Sequence, residues 1–179
     1  MKLCKFTPHF LFSLFLCACS SLPDEDFDKQ QAAKARVELA LGYLAQNNPM
    51  QAKLNLDKAL NYAPDYYLVH SALAYFHHQQ GNIELADNAY RKAISLDDDQ
   101  GDVHNNYGTF LCSLGKAEQG IEQFRKALSA KYYYNQTDTY ENLAICAYSV
   151  KNRAVYQESI DLLRKISPTR AAELESLRF

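Results

Sequence analysis

The sequence has no tryptophan and is poor in proline and glycine, with five and six residues among 179. This composition excludes collagen-like repeats and gives no sign of disorder or of a dense disulfide framework. An excess of one charge is also lacking, because 19 Lys and Arg residues stand against 21 Asp and Glu residues without a block of like charge. Nucleic-acid binding therefore has no electrostatic support. We expect a single domain of ordinary size.

The N-terminus has the pattern of an export signal. The basic residues Lys2 and Lys5 precede an apolar run from Phe10 to Leu16 that is too short to span a bilayer. The run ends in Leu16-Cys17-Ala18-Cys19, which resembles the lipobox of bacterial lipoproteins. Residues 1–18 are thus predicted to be a signal peptide and Cys19 to be the lipidated residue. An ordinary signal peptide and a buried apolar helix are the alternatives.

The residues after Cys19 bear on localisation. Ser20, rather than Asp, follows the cysteine, and by resemblance to the lipoprotein sorting rule this implies lipid anchoring at the periplasmic face of the outer membrane. Several acyl chains would make the anchoring stable. Residues 19–32 are predicted to be the lipidated N-terminus and a tether, because Ser20 to Lys29 contains Pro23 and four acidic residues and has little to bury.

A period of 34 residues organises the rest of the chain. Small and large residues recur with this period at Ala52, Ala86 and Gly120, at Leu56, Tyr90 and Phe124, and at Ala59, Ala93 and Ala127. Apolar residues between these positions follow helical spacing, and turns are expected at Asn47-Asn48-Pro49, Gly81 and Gly115. A fixed period of this length indicates a solenoid rather than a generic helical bundle. We predict an all-α domain over 33–179, with helical hairpins at 33–66, 67–100, 101–134 and 137–170.

The size alternation resembles the tetratricopeptide repeat, in which a small residue lets two helices approach and a large residue four positions later fills the space beside it. The fourth hairpin is degenerate, since Tyr156 stands where a small residue is usual, and this leaves its angle open. Ser167 is expected to cap a final helix that begins at Pro168. Leu174, Leu177 and Phe179 would cover the last apolar face.

Histidines are the first residues to consider for chemistry. His70, His77 and His78 are close in sequence, but no Cys or carboxylate completes a usual metal-ligand set. His70 and His104 occupy equivalent repeat positions, and His77 occupies a packing position, so we interpret all three as packing residues. The sequence shows no nucleophile triad, phosphate loop or paired carboxylates. We expect no catalytic residue, metal, cofactor or small-molecule substrate.

Cys112 and Cys146 remain after lipidation of Cys19, each late in the first helix of adjacent repeats. In an oxidising periplasm two neighbouring thiols favour a disulfide if their Cα atoms are within reach, and two small buried apolar residues are the alternative.

A binding groove is expected on the concave face of the solenoid. Its predicted residues are Val37, Leu41, Leu44, Ser71, Tyr75, His78, Asn105 and Thr109. An apolar first repeat and a polar third repeat suit a peptide with mixed anchors.

Two blocks extend beyond a generic repeat. The block from Asn105 to Cys112, preceded by Gly101-Asp102-Val103, and the block from Glu141 to Ala147 resemble the type IV pilus biogenesis and stability lipoproteins, the PilF/PilW pilotins. The resemblance implies an outer-membrane lipoprotein that helps the pilus secretin to localise and multimerise, without catalysis. It also implies that Cys112 and Cys146 are the family's paired cysteines. The chain has fewer repeats than longer family members.

Two other functions compete with this interpretation. Tetratricopeptide folds alone do not specify a partner, so another periplasmic assembly scaffold, serving outer-membrane protein insertion or cell-wall synthesis, is the first alternative. An enzyme or its regulatory subunit is the second, and it would require a pocket with converging ionisable groups.

Overall fold

The computed structural model describes residues 28–176, and this part of the chain is helical throughout with no strand. The helices are α1 (Lys29–Ala45), α2 (Pro49–Tyr62), α3 (Tyr67–Gln79), α4 (Ile83–Leu96), α5 (Gly101–Ser113), α6 (Ala117–Ser129), α7 (Gln136–Ser149), α8 (Arg153–Ile166) and α9 (Pro168–Glu175). Consecutive helices pair as four hairpins, and α9 packs on α8 and α7. The predicted all-α solenoid of four hairpins and a final helix is confirmed. None of the helices within 28–176 is both long and apolar enough to cross a membrane.

Each hairpin turns at a residue with left-handed backbone. Gly81 and Gly115 both have φ of 74°, Asn47 has φ of 55°, and Lys151 has φ of 56° at the equivalent point of the fourth hairpin. Glycine and asparagine adopt this conformation readily. The turn residues thus let the second helix of each hairpin run back along the first.

The recurring small and large residues form the core of the hairpins. Leu56 and Phe124 are fully buried, and Tyr90 is almost so. The recurring alanines of the second helices are fully buried as well: Ala52, Ala59, Ala86, Ala93 and Ala127. Burial of a side chain such as Leu56 or Phe124 stabilises the fold by about 1.5–3 kcal/mol. The crossing in the third hairpin leaves no space for a side chain at Gly108, because a Cβ atom there would lie 2.8 Å from the Phe124 ring and 3.0 Å from the Gly120 carbonyl oxygen.

The first helix begins earlier than predicted. Helix α1 starts at Lys29, whereas the sequence placed the tether up to residue 32. The Asp28 side chain caps the helix by accepting hydrogen bonds from the backbone N–H groups of Gln30 and Gln31, at 2.9 and 3.1 Å. Residues 29–32 are therefore helical. The predicted signal peptide, Cys19, Leu177 and Phe179 lie outside the described residues.

The last hairpin accommodates Tyr156 by means of α9. The Tyr156 hydroxyl donates a 2.7 Å hydrogen bond to the Leu174 carbonyl, and the buried Ile160 and Leu163 complete the same cluster. Helix α9 begins at Pro168, as predicted, but the Ser167 side chain makes no capping hydrogen bond. The expected side-chain cap at Ser167 is therefore wrong, although its position at the helix start is right. Arg170 pairs with Asp138 and Glu141 of α7, which ties the final helix to the fourth hairpin.

Candidate functional site

The concave face of the solenoid is built from the first helix of each hairpin. Helices α1, α3, α5 and α7 contact one another in that order, while the second helices lie behind them. A cavity of about 470 Å³ opens on this face. All of the predicted groove residues except Leu44 line it, and we call this cavity the groove.

Leu44 lies elsewhere. It lines a smaller depression close to the first hairpin turn, and this depression shares Tyr75 and Gln79 with the groove. Leu44 therefore does not line the groove itself, because it lies in the last turn of α1, and its contact with a partner stays a prediction.

One end of the groove is apolar. Val37 is fully buried, whereas Leu41 and Tyr75 are 39% and 41% exposed, and Leu68 and Ala72 fill the space between α1 and α3. Exposed leucine and tyrosine side chains next to one another offer area that a partner can bury.

The other end of the groove is lined by amides and a hydroxyl. The Asn105 side-chain oxygen accepts hydrogen bonds from the Thr139 hydroxyl and from the Asn142 amide, both at 3.1 Å. The Tyr133 hydroxyl lies 2.5 Å from the Thr139 oxygen and extends this network. Asn105 is thus fixed in orientation by side chains of α7 and of the loop before it.

Aromatic rings form the floor of the groove. Tyr90 and Phe110 have ring centroids 5.4 Å apart, and the His78 ring meets Phe110 edge-on at 5.0 Å. Burial raises the pKa of Tyr90 above its ordinary value, so its hydroxyl stays neutral. Tyr107 stacks on Tyr90 with ring centroids 5.2 Å apart, and burial together with the Asp87 carboxylate raises the pKa of Tyr107 to about 12.

The sequence did not identify several residues that line the groove: Leu68, Ala72, Gln79, Tyr90, Asn106, Phe110 and Asn142. Asn142 follows Asn106 by 36 positions, which is the repeat period plus the two-residue insertion, so the repeat register could have located it. Tyr90 is one of the recurring large residues that predict hairpin packing, and Phe110 lies within the block from Asn105 to Cys112. Both are buried, and both also close the base of the groove.

The histidines have structural partners. His104 is buried, with Nδ1 2.8 Å from the Gln123 side-chain oxygen and Nε2 2.9 Å from the Asp98 carbonyl. His70 makes the equivalent contact one repeat earlier, with Nε2 2.6 Å from the Pro64 carbonyl. Both rings therefore hold the loop that precedes their helix.

His77 differs from these two residues. Its Nδ1 atom is buried and has no hydrogen-bond partner within the described residues. Burial, and secondarily the positive charge of Lys53, lowers the pKa of His77. Over residues 28–176, no group of three or more His, Cys, Asp or Glu side chains is arranged to hold a metal ion.

Cys112 and Cys146 are joined in a disulfide bond, with their Cα atoms 5.7 Å apart. The bond links α5 to α7 and forms part of a second depression that shares Thr109 and Asn142 with the groove. Ile145, 46% exposed, stands at the far side of this depression. The concave face thus continues from α1 to α7.

Comparison with known proteins gives a consistent result. The tetratricopeptide repeat family model matches residues 69–100. An uncharacterized protein of Haemophilus influenzae is 52% identical over 94% of both chains. The type IV pilus assembly protein PilF of Pseudomonas aeruginosa is 31% identical over 178 residues, which cover 95% of this chain and 71% of PilF.

Solved structures agree with these sequence relatives. A structure from the functional characterization of Pseudomonas aeruginosa PilF superposes with a TM-score of 0.74 and 30% identity, over 82% of this chain and 68% of that chain. PilW, described as a widely conserved type IV pilus biogenesis factor, superposes with a TM-score of 0.72 at 24% identity, over 79% of this chain and 66% of that chain, and supports the fold alone. The chain is therefore a tetratricopeptide-repeat protein that belongs to the same family as the type IV pilus assembly protein PilF.

Proposed function

We propose that this protein is a non-enzymatic scaffold of type IV pilus biogenesis that binds a protein partner in its concave groove. The relationship to PilF over 95% of the chain is the observation that carries the proposal. The groove supports it, because exposed apolar and amide side chains are brought together on the first helices without an accompanying cluster of ionisable groups among the described lining residues.

More specifically, we infer that the protein is a lipid-anchored pilotin that promotes localisation and multimerisation of the pilus secretin. The pattern Leu16-Cys17-Ala18-Cys19 supports lipidation at Cys19 and an outer-membrane location. An acyl anchor would confine the groove to the membrane surface at which a secretin inserts. Confinement raises the effective concentration of the two proteins without any new contact.

The action of such a scaffold follows from its rigidity. The core of each hairpin is buried, the disulfide joins the third repeat to the fourth, and α9 covers the end of the stack. A rigid groove loses little conformational entropy when a flexible segment binds, so most of the ordering cost falls on the partner. The protein would hold a secretin segment apart from competing contacts until neighbouring subunits assemble.

The test is the oligomeric state of the secretin in outer membranes, measured by mild-detergent electrophoresis in cells with and without this gene. We expect the heat-stable multimer to disappear in the deletion strain and to return with the wild-type gene but not with Cys19→Ala. Unchanged multimers with lost pili would contradict the secretin role and indicate pilus stability instead. Unchanged pili would contradict the pilus role altogether and favour another periplasmic assembly scaffold.

A further inference from the structure

We propose that the groove and the depression beside the disulfide together receive an internal, uncharged, extended segment of the protein partner, with apolar side chains towards both ends and polar contacts at its centre. The inference rests on the proposed function, because it specifies the chemistry of the partner that the same groove would bind. Three features of the concave face support it.

The first feature is the absence of charge. Over the described part of the chain, neither the groove nor the depression beside the disulfide is lined by an Asp, Glu, Lys or Arg side chain. A charged residue or a chain-terminal carboxylate that entered this surface would lose hydration without gaining an ion pair, and burial of an unpaired charge is costly. The surface is thus complementary to an uncharged segment that continues at both ends.

The second feature is a row of side chains at one register position in each repeat. Leu41, Tyr75, Thr109 and Ile145 are 34, 34 and 36 positions apart on the four neighbouring first helices, and all four are exposed. Packed helix axes are about 8–10 Å apart, so the row extends over roughly 25–30 Å. An extended chain covers that distance with about eight or nine residues.

The order of apolar and polar side chains along the row indicates where the bound segment should be apolar and where it should be polar. Leu41 and Tyr75 form an apolar end with Val37, and Ile145 forms the other apolar end beside the disulfide. Thr109 lies between them and is the polar member of the row. A segment with apolar residues at both ends would bury area at each of these places while its centre remains polar.

The third feature is the orientation of the central amides. The Asn105 oxygen already accepts hydrogen bonds from Thr139 and Asn142. The Asn105 Nδ2 group is therefore the donor that can bind a partner. Asn142 uses its Nδ2 group in the same network and retains its oxygen as an acceptor. A donor and an acceptor on adjacent side chains match the C=O and N–H groups of an extended backbone.

The experiment is a display selection on the purified full chain. Random twelve-residue peptides are displayed in two formats, either between two folded flanks or with a free C-terminus. We expect binders from the flanked format, depleted in Asp, Glu, Lys and Arg and with apolar residues towards both ends. Binders that are rich in charge, binders found only in the free C-terminal format, or no groove-dependent binders would each overturn the inference.

To test whether binding depends on the groove, the affinity of one selected peptide, made synthetically, is measured for wild type and for three variants. Thr109→Arg places a charge at the centre of the row, and Asn105→Asp keeps the oxygen that Thr139 and Asn142 need while it removes the amide donor. Each is expected to weaken binding at least tenfold. Leu85→Arg is the matched control, because Leu85 is 51% exposed on α4, away from the groove, and its binding should stay within twofold of wild type.

The outcomes separate this inference from the proposed function. Charged binders together with loss of secretin multimers in the Thr109→Arg strain would overturn the inference and leave the secretin role standing. Uncharged, groove-dependent binders together with intact multimers in the Thr109→Arg strain would support the inference and contradict the secretin role.

Discussion

Gly120 packs directly against the sulfur of Cys112, so that a Cβ atom at position 120 would overlap the Cys112 Sγ atom. The equivalent residues of the first two repeats are Ala52 and Ala86, both fully buried. The third repeat therefore has glycine in place of alanine where the disulfide to Cys146 requires space.

Gly120→Ala should destabilise the protein by about 1–3 kcal/mol, the usual cost of inserting a methyl group into a filled core. Gly42→Ala is the matched control, because a Cβ atom at Gly42 in α1 would meet nothing within 4 Å. That variant should be more stable than wild type by roughly 0.5–1 kcal/mol, since alanine is the better helix former. Urea unfolding measures both changes, and destabilisation of equal size in the two variants would contradict the assignment.

Reduction of the Cys112–Cys146 bond should lower the free energy of unfolding. The cysteines are 34 residues apart, and a loop of that length corresponds to about 3–4 kcal/mol in the chain-entropy estimate. The measurement is urea unfolding with and without dithiothreitol. The double variant Cys112→Ala, Cys146→Ala should have the same urea midpoint with and without dithiothreitol. A wild-type midpoint that is unchanged by dithiothreitol would show that the bond does not contribute to stability.

Asp87 should make the stability depend on acid pH. Burial alone would raise the pKa of Asp87, but hydrogen bonds from Arg91 at 2.7 Å and from Tyr107 at 2.8 Å outweigh burial and lower it. The unfolded chain then binds the proton more tightly than the folded chain. The stabilisation is present above the ordinary aspartate pKa of about 4 and is lost as the pH falls through the lower pKa of the folded state.

The measurement compares the urea midpoints of wild type and Asp87→Asn from pH 7 to pH 3. We expect the advantage of wild type over the variant to shrink below about pH 4, because only the wild type has the carboxylate to protonate. Parallel curves over the whole range would show that Asp87 is not coupled to folding.

Tyr156→Phe should loosen α9. The variant removes the hydrogen bond to the buried Leu174 carbonyl and leaves the ring in place, at a cost of about 1 kcal/mol. Hydrogen exchange of the α9 amides should become faster than exchange in α5 and α6. Tyr134→Phe serves as the control, because Tyr134 is 87% exposed, and its exchange pattern should match wild type. Equal exchange of α9 in the two variants would mean that the hydrogen bond does not hold this helix.

Much of the fold could be predicted because each repeat of 34 residues packs its two helices with the same pattern of small and large residues. The starts of α3 at Tyr67, α5 at Gly101 and α9 at Pro168 follow from the period and from the turn residues. The start of α1 could not be placed by the period, since it depends on a local cap by Asp28 within an acidic segment that reads as a tether. At this point the capping hydrogen bonds of Asp28, and not the polar composition of the segment, determine where the helix begins.

The groove could be predicted only in part. Groove residues at three register positions of the first three repeats could be predicted because these positions share a face of the first helix. The network of Asn105, Thr139 and Asn142 escaped prediction, since its members come from two repeats that are separated by the two-residue insertion. Tyr133 adds to it through a close approach to Gly101, where a Cβ atom would lie 2.6 Å from the Tyr133 ring carbon Cδ2. Such contacts depend on how adjacent hairpins stack.

The most direct test of the groove's role is secretin multimerisation in strains that carry Thr109→Arg or Leu85→Arg in place of the wild-type gene. Both variants add one arginine at an exposed position, but only Thr109 lies in the groove. We expect Thr109→Arg to abolish the heat-stable multimer at normal protein levels and Leu85→Arg to leave it intact. Intact multimers in the Thr109→Arg strain, with the variant folded and present in the outer membrane, would contradict the claim that the groove acts in secretin assembly.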